Sequence, residues 1–334
     1  MAAACDIHEA FPPRVICGAR PTQAVHLGHV FGAFEDFRGL QVRHPGETFA
    51  LIADLHALDA RFHRRNLELA THELTSAWLA LGLDPRRTLF YRQSDVPAVM
   101  ELALVLAHLV SVADIERVPA VRAAGPQRRT AGSLLYPVVM AADILGPRAT
   151  VVAAGRDQIA HVEFARRLAR RANRALEEVV FPLPQTRRVG ETVIPGTDGR
   201  KMCGENGIRL FAPVSELQER IRGIVTATVG ATAPKDPDCC TVARLHALVS
   251  TTDRHAELRE DYRAGLSFEE AKRRLLLAIV EFRAPFEERY HSLRAEPDTI
   301  DDLLHNGAAA VREEAEKTLE RILALAGMTG GKGM

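Results

Sequence analysis

Residues 14–34 read RVICGARPTQAVHLGHVFGAF, and this stretch decides the predicted fold. It begins with a short apolar run of β type that ends at Gly18, and a helical pattern follows from about Val25 to Phe37. The same alternation recurs further along the chain. Further strand-type runs lie at 49–53, 89–92 and 150–154, each followed by a helical pattern. Strands that alternate with helices predict an α/β fold with a parallel sheet of Rossmann type.

The pattern changes after about residue 210, where we predict no strand. Ser215–Gln218 and Ser267–Glu270 both have the spacing of a capping box at a helix start. Long helical patterns cover 268–293 and 300–325 and are separated by Pro297-Asp298. We therefore predict two domains, a Rossmann-type domain over residues 1–204 and an all-helical C-terminal domain over residues 205–334.

The composition excludes several classes of protein. Of the 334 residues, 47% are hydrophobic, and 43 Lys and Arg balance 43 Asp and Glu. High apolar content without net charge argues against disorder. Zero net charge excludes a broad electrostatic attraction to nucleic acid but not a local basic patch that binds it. The longest apolar stretch, 98–112, contains Glu101 and His108 and is too short to cross a membrane, so we expect no membrane association.

The cysteines and the N-terminus indicate a compartment. Five Cys give an odd count without any CxxC pair, so we predict no zinc or iron–sulfur site and no protein-bound metal. The first residues, MAAACDIHEAF, lack the basic and then apolar layout of a signal peptide. These features predict a reducing, cytoplasmic location.

The first candidate site is the segment around His26, Gly28 and His29, which lies after the first strand and opens a helix. Ligands of open α/β sheets bind at the carboxyl ends of strands, and helix N-termini favour phosphates. Both histidines can donate to phosphate oxygens, and Gly28 would let a flat base approach the backbone. The alternative is an ordinary helix start with two exposed histidines.

The second candidate site consists of Tyr136, Met140 and Asp143, whose spacing puts them on one helix face. We place Pro137 in the first turn of that helix, where its missing N–H costs least. Asp143 lies among apolar neighbours, and a carboxylate there needs a donor. One interpretation is an ion pair with an arginine, and the other is a donor on a ligand, such as the N–H of an indole.

Two further segments have the character of ligand-binding loops. Gly155 and Asp157-Gln158 follow the fourth strand; Asp157 suits ribose hydroxyls and Gln158 a charged amine, the alternative being a turn with a capping Asp. The Gly-rich segment from Pro195 to Gly207 is predicted to be mobile and to close on a nucleotide.

Several of these segments carry a resemblance to a known family. HLGH at 26–29 resembles the HIGH signature of class I aminoacyl-tRNA synthetases, and DGRKM at 198–202 resembles the lead-in to their KMSKS signature. The chain is similar to the tryptophanyl-tRNA synthetases over about residues 13–327. The segments that carry this are GARPTQAVHLGHVFGA at 18–33, ADLHAL at 53–58, LLYPVVMAADIL at 134–145, GRDQIAHVEFARRLARRAN at 155–173 and EERYHSLRAEP at 287–297.

The resemblance implies a role for each candidate residue. Asp143 would read the indole N–H, Met140 would pack on the ring, and Tyr136 and Gln158 would hold the amino group of tryptophan. For ATP, the implied binding residues are Arg20, Gly28, Gly155, Asp157 and Met202. The implied catalytic residues are His26, His29 and Lys201. The resemblance further implies ATP with Mg²⁺ as a substrate, L-tryptophan and tRNA(Trp) as partners, a homodimer, and a helical domain on the anticodon side of the tRNA.

The second signature departs from the family pattern. Lys201 and Met202 match, but Cys203 and Gly204 stand where Ser and a second Lys are expected, and the loop is about two residues shorter. Lys201 is the first of only five lysines in the chain, and its position at the motif favours a functional role. A general preference for arginine would have left Arg at the second basic position, so composition does not explain Gly204. Arg200 or Arg209 is a candidate substitute for the missing cation.

Three functions follow from these observations. The leading one is a tryptophan–tRNA ligase. The second is a relative that adenylates tryptophan or an analogue for another acceptor, and the third is a catalytically silent protein that binds tryptophan or a nucleotide. Arginines 166, 167, 170, 171 and 174 form either a face for tRNA or a solvated helix face.

Overall fold

The computed structural model describes residues 11–328 apart from 22–23, 45–46, 59–66, 124, 126–129, 156–157, 189–192 and 231. Five strands form one parallel sheet in the order β3-β2-β1-β4-β5. They are β1 (Val15–Ala19), β2 (Thr48–Ile52), β3 (Thr88–Arg92), β4 (Val151–Ala154) and β5 (Gln185–Arg188). The predicted α/β fold with a Rossmann-type parallel sheet is confirmed.

The helices alternate with the strands and then follow one another without further strands in the described part of the chain. They are α1 (Leu27–His29), α2 (Glu35–Arg43), α3 (Leu67–Ala80), α4 (Pro97–Ala107), α5 (Val112–Glu116), α6 (Pro119–Ala123), α7 (Ala131–Leu145), α8 (Ile159–Ala175), α9 (Val214–Arg222), α10 (Thr241–Val249), α11 (Thr252–Ala264), α12 (Phe268–Arg294) and α13 (Pro297–Leu325). The two long C-terminal helices lie where the sequence predicts them.

The sheet divides the core into two layers because successive side chains of a strand point to opposite faces. Val15 and Cys17 of β1 pack on one face with residues of α2, α3, α10 and α12. Ile16, between them, packs on the other face with residues of α4, α7, α8 and α13. Burial on both faces explains the nearly continuous apolar character of the strands.

The last helix returns to the sheet and packs against β3. A Cβ atom at Gly307 would lie 1.9 Å from the carbonyl oxygen of Phe90, so only glycine permits this approach. Val311 and Ala315 continue the contact into the same layer as α4 and α7. The domain boundary near residue 204 stays a prediction, and α13 lies against the N-terminal sheet.

The structure corrects several local predictions. β5 was not predicted, because Gln185–Arg188 is a short, polar edge strand without an apolar run. Helix α9 begins at Val214 without a side-chain cap, so the Ser215 capping box is wrong, whereas Ser267 does cap α12. Pro137 lies in the interior of α7 instead of its first turn, because the helix begins earlier, after the cap of Thr130.

None of the described helices combines the length with the apolar character that crossing a bilayer requires.

Candidate active site

A cavity of about 680 Å³ opens at the carboxyl ends of β1 and β4, where the strand order reverses. Ligands of open α/β sheets bind at this reversal. The cavity brings together the predicted residues from all four candidate segments, which lie far apart in the sequence. Those that line it are Arg20, His26, Gly28, His29, Tyr136, Met140, Asp143, Gly155, Gln158, Lys201 and Met202. Asp157, also predicted, lies outside the described residues.

The two histidines of the first segment form one stacked unit. Their ring centroids are 3.7 Å apart, and the Nδ1 of His29 accepts a hydrogen bond from the backbone N–H of His26 at 3.3 Å. His26 is buried and His29 is half-buried, so the alternative of two exposed histidines is wrong. A π-helical segment, Val30–Phe34, follows α1 directly.

Burial keeps both imidazoles neutral. Desolvation, followed by the charges of His29 and Lys201, lowers the pKa of His26 to about 3. Desolvation, followed by the charges of Arg20 and Lys201, lowers the pKa of His29 to about 4. Each neutral ring offers one N–H donor and no positive charge. Among the described residues that line the cavity, the permanent cations are therefore Arg20 and Lys201.

The second signature segment docks directly on the first. The backbone N–H of Gly28 donates to the thioether sulfur of Met202 at 3.1 Å. Backbone bonds from Leu27 to Ile208 (3.1 Å) and from Leu210 to Val25 (2.9 Å) flank this contact. Met202 is buried, whereas its neighbour Lys201 is exposed at the rim of the cavity. The pairing of the two segments thus holds Lys201 beside the histidines.

The segment from Lys201 to Gly207 is a turn that is bonded to itself through Asn206, and it does not project as an open loop. The side-chain oxygen of Asn206 accepts from the N–H of Cys203 at 2.6 Å. Its amide nitrogen donates to Asp198 at 2.7 Å and to the carbonyl of Lys201 at 3.1 Å. Sequence reasoning missed Asn206. Gly204, which stands at the position of the missing lysine, lines the cavity.

The two arginines considered as substitutes for that lysine lie differently. Arg209 donates to the carboxylate of Glu216 at 2.7 Å, so its charge is paired. Arg200 is exposed and does not line the cavity. Neither position favours the substitution that the sequence suggested.

Asp143 lies at the floor of the cavity with a relative exposure of 3%. Burial raises the pKa of its carboxyl well above the usual range, the amide of Gln93 opposes this shift, and the charge of Asp54 adds to it. The Gln93 amide donates to its two oxygens at 3.0 and 2.8 Å. No arginine pairs with Asp143 within the described ranges, so the ion-pair interpretation is wrong; the donor that the structure shows is the Gln93 amide, and a donor on a ligand stays a prediction.

A cluster of three aromatic rings reaches this carboxylate through His56. The ring of Tyr136 meets His56 edge-on at 4.8 Å and His161 at 5.2 Å between centroids. The Tyr136 hydroxyl lies 3.9 Å from the sulfur of Met140, one turn further along α7. An acceptor set among flat and polarisable groups suits an aromatic ligand that carries one N–H donor.

Sequence reasoning missed His56 and Gln93, although a signal for both existed. His56 follows β2 and Gln93 follows β3, so both lie at the carboxyl edge of the sheet. Ligands of open α/β sheets bind at this edge, so the ends of β2 and β3 carry the same signal as those of β1 and β4. The imidazole Nδ1 of His56 lies 2.8 Å from the amide nitrogen of Gln93 and 4.0 Å from Asp143.

The chain is similar to proteins of known family over most of its length. The family model for tRNA synthetases class I (W and Y) matches residues 9–282. A tryptophan–tRNA ligase of Thermotoga maritima is 34% identical over 321 residues, which cover 92% of this chain and 97% of that protein. Another, from Treponema pallidum, is 37% identical over 330 residues, which cover 95% and 97%.

Solved structures agree with these sequence relatives. The crystal structure of the tryptophanyl-tRNA synthetase of Campylobacter jejuni complexed with ADP and tryptophan superposes with a TM-score of 0.84. Its sequence is 31% identical, and the match covers 94% of this chain and 99% of that one.

Proposed function

Since the chain belongs to the class I tRNA synthetases of the tryptophan and tyrosine type, we propose that it is an ATP-dependent tryptophan–tRNA ligase. It activates L-tryptophan with ATP to tryptophanyl-adenylate and transfers the aminoacyl group to tRNA(Trp), with AMP and pyrophosphate as the other products. The observation that carries the choice of amino acid is Asp143, a buried carboxylate whose described protein donor is an amide and not an arginine. The relatives named above are ligases and do not support either alternative role.

Asp143 is proposed to accept the indole N–H. Phenylalanine lacks that donor and would leave the carboxylate unpaired, so it is rejected by a large factor, on the order of 10⁴. Met140 is proposed to pack on the indole ring, and Tyr136 and Gln158 to hold the α-amino group. Support comes from their common position on the wall of one cavity.

ATP is proposed to bind across the reversal of strand order. Gly28 and Gly155 would allow the base and ribose to approach the backbone, with Asp157 on the ribose and Met202 beside the base. His26 and His29 would donate neutral N–H groups to phosphate oxygens. Because these imidazoles are uncharged, the positive charge that meets the triphosphate would come from Arg20 and Lys201.

In the first step, a carboxylate oxygen of tryptophan attacks the α-phosphorus of ATP in line. The bond from that phosphorus to the oxygen that bridges the α- and β-phosphorus atoms breaks, and pyrophosphate leaves with the electron pair. Lys201 and Arg20 would stabilise the negative charge that grows on this leaving group. In the second step, a terminal hydroxyl of the tRNA attacks the aminoacyl carbonyl, and AMP leaves. The protein groups position and neutralise, and none of them forms a covalent bond.

Magnesium is proposed to enter with ATP, where it would offset the charge of the triphosphate. Among the described lining residues only Asp143 carries a carboxylate, and Gln93 engages it. Elsewhere, Glu68, His72 and Asp301 bring their ligand atoms within 4.8 Å of one another. Asp301 already accepts from the guanidinium of Arg92 at 3.0 Å, and that positive charge opposes a cation there.

The macromolecular partners are proposed from the exposed surfaces. On α8, Arg170 and Arg174 are exposed and available to a tRNA phosphate, whereas Arg171 is paired with Asp114 at 2.8 Å. Exposed apolar side chains on three neighbouring helices favour a homodimer: Leu104 of α4, Val112 of α5 and Leu135 of α7. A cytoplasmic location is proposed for a ligase that charges tRNA.

The test is ATP–pyrophosphate exchange with the purified protein and each amino acid in turn, followed by charging of purified tRNA. Exchange with tryptophan alone and charging of tRNA(Trp) are expected. Exchange without charging would favour another acceptor. Absence of exchange with every amino acid would refute the ligase.

A further inference from the structure

Gln93 connects the acceptor at the cavity floor to the loops that follow β2 and β3. The residue is 1% exposed and belongs to the short turn Gln93–Asp95 directly after β3. Its amide nitrogen lies 3.0 and 2.8 Å from the two oxygens of Asp143 and 2.8 Å from the Nδ1 of His56. Its carbonyl oxygen accepts from the backbone N–H of His56 at 3.3 Å. The side chain of Gln93 therefore contacts both Asp143 and His56 at the bottom of the cavity.

The turn that carries Gln93 is itself held from three directions. The backbone N–H of Ser94 donates to Asp54, after β2, at 3.0 Å, and the Ser94 hydroxyl bonds to the same carboxylate. Arg92 pairs with Asp95 at 2.9 Å. The guanidinium of Arg312 on α13 donates twice to the carbonyl of Asp95, at 3.1 and 2.7 Å. A side chain on a turn this constrained has little freedom to leave Asp143.

From this geometry we infer that Gln93 is a positioning residue for tryptophan recognition: it sets the orientation of the Asp143 carboxylate and holds it available as an acceptor for the ligand N–H. The inference rests on the proposed function for its use, but the coupling of Gln93 to Asp143 does not require any ligand. A carboxylate that is already fixed in orientation binds a directional N–H donor more strongly than a freely rotating one does, because it has no rotational freedom left to lose on binding.

The electrostatic part of this role follows from the groups around Asp143. Burial and then the carboxylate of Asp54 disfavour the ionised form of Asp143. Burial and the charge of Asp143 raise the pKa of the nearby Tyr91 hydroxyl, so that group stays protonated. His56 lies 4.0 Å from Asp143, and burial lowers the pKa of its imidazole. Gln93 opposes the effects of burial and of Asp54 on Asp143, since an N–H donor stabilises the charged carboxylate. Without it, the carboxyl would keep its proton to higher pH and lose its acceptor character.

The test compares Gln93→Met, which keeps the length of the side chain and removes the amide, with Gln41→Met as a matched control. Gln41 is 4% exposed, and its amide bonds to Gly82 at 2.8 Å and to the N–H of Asp84 at 2.9 Å, outside the cavity. Tryptophan affinity is measured by calorimetry between pH 6 and 9. We expect Gln93→Met to bind tryptophan about ten- to one-hundred-fold more weakly at pH 7, and to recover part of this loss at high pH. Gln41→Met should keep the affinity and pH profile of the unchanged protein.

A second measurement needs no tryptophan. When folding raises the pKa of a carboxyl group, the free energy of unfolding of the protein falls as pH rises from the pKa of the unfolded state to that of the folded state. In Gln93→Met, the decrease of the free energy of unfolding with pH should therefore continue to a higher pH than in Gln41→Met. An identical pH dependence in the two variants would overturn the inference. A shifted limb in a protein that does not bind tryptophan would instead support the coupling and refute the proposed function.

Discussion

Replacing Asp143 by Asn tests the recognition of the indole most directly. The amide nitrogen of Gln93 lies 2.8 and 3.0 Å from the two carboxylate oxygens, so an asparagine must turn its own oxygen towards Gln93 to avoid placing two N–H donors together. Its NH₂ group would then face the ligand, where the indole N–H needs an acceptor. The substitution therefore removes the charged acceptor and leaves a buried donor without a partner.

The magnitude follows from the bond that is lost. A hydrogen bond to a charged group contributes about 1.5–3 kcal/mol, and an unsatisfied buried donor costs about 1–3 kcal/mol. Taking about 3 kcal/mol in total, tryptophan should bind about 100- to 200-fold more weakly. Phenylalanine has no N–H for Asp143, so its weak binding should change little, and the preference for tryptophan should fall by the same factor.

The assay is calorimetric titration of tryptophan and phenylalanine, with pyrophosphate exchange as the kinetic check. Asp114→Asn is the matched control, because Asp114 pairs with Arg171 on the surface and does not line the cavity. The ligand-free Asp143→Asn variant should unfold no more easily than the unchanged protein near neutral pH, since it removes a carboxyl whose ionisation burial opposes. Tryptophan affinity within threefold of the unchanged protein would refute the assigned role.

Three further predictions concern the phosphate side and the fold. Gly204→Lys, which puts a cation at a position lining the cavity, should raise the exchange rate about tenfold or more, and no gain would contradict the idea that the missing charge limits catalysis. The pH profile of kcat/KM for ATP should show no midpoint near 6.5 from His26 or His29, because the pKa values of these residues lie at about 3 and about 4. A midpoint near 6.5 that disappears in His29→Asn would contradict neutral imidazoles. Gly307→Ala should destabilise the fold by about 2 kcal/mol or more in denaturant titration, because its Cβ would overlap the backbone of Phe90. Gly39→Ala, at an exposed position of α2, should be neutral or stabilising, and equal effects of the two substitutions would refute the close contact.

The sequence predicted the framework well where its signals are periodic. The first four strands and the two long C-terminal helices have strong apolar patterns, and the strand ends at β1 and β4 pointed to the cavity through topology alone. β5 escaped because it is polar and pairs at a sheet edge, where packing and not its own pattern stabilises it.

The parts of the site that could not be predicted depend on contacts between distant segments. The bonds from Gln93 to Asp143 and from Gly28 to Met202 join residues that no local pattern relates. The same holds for Asn206, whose role depends on the turn that it closes. Burial of the histidine pair was also invisible in the sequence, although it decides their charge.

The packing of α13 on β3 has a consequence for synthesis. A ribosome synthesises a chain from its N-terminus, so every described residue that lines the cavity is made long before Pro297–Leu325. Until that helix emerges, β3 lacks the partner that covers it, and the turn after β3 lacks the anchor of Arg312. A nascent or prematurely terminated chain would thus hold all the chemistry of the site without its support. Helix α13 therefore supplies the anchor of the turn after β3 only once residues 297–325 have been made, later than every described residue of the cavity.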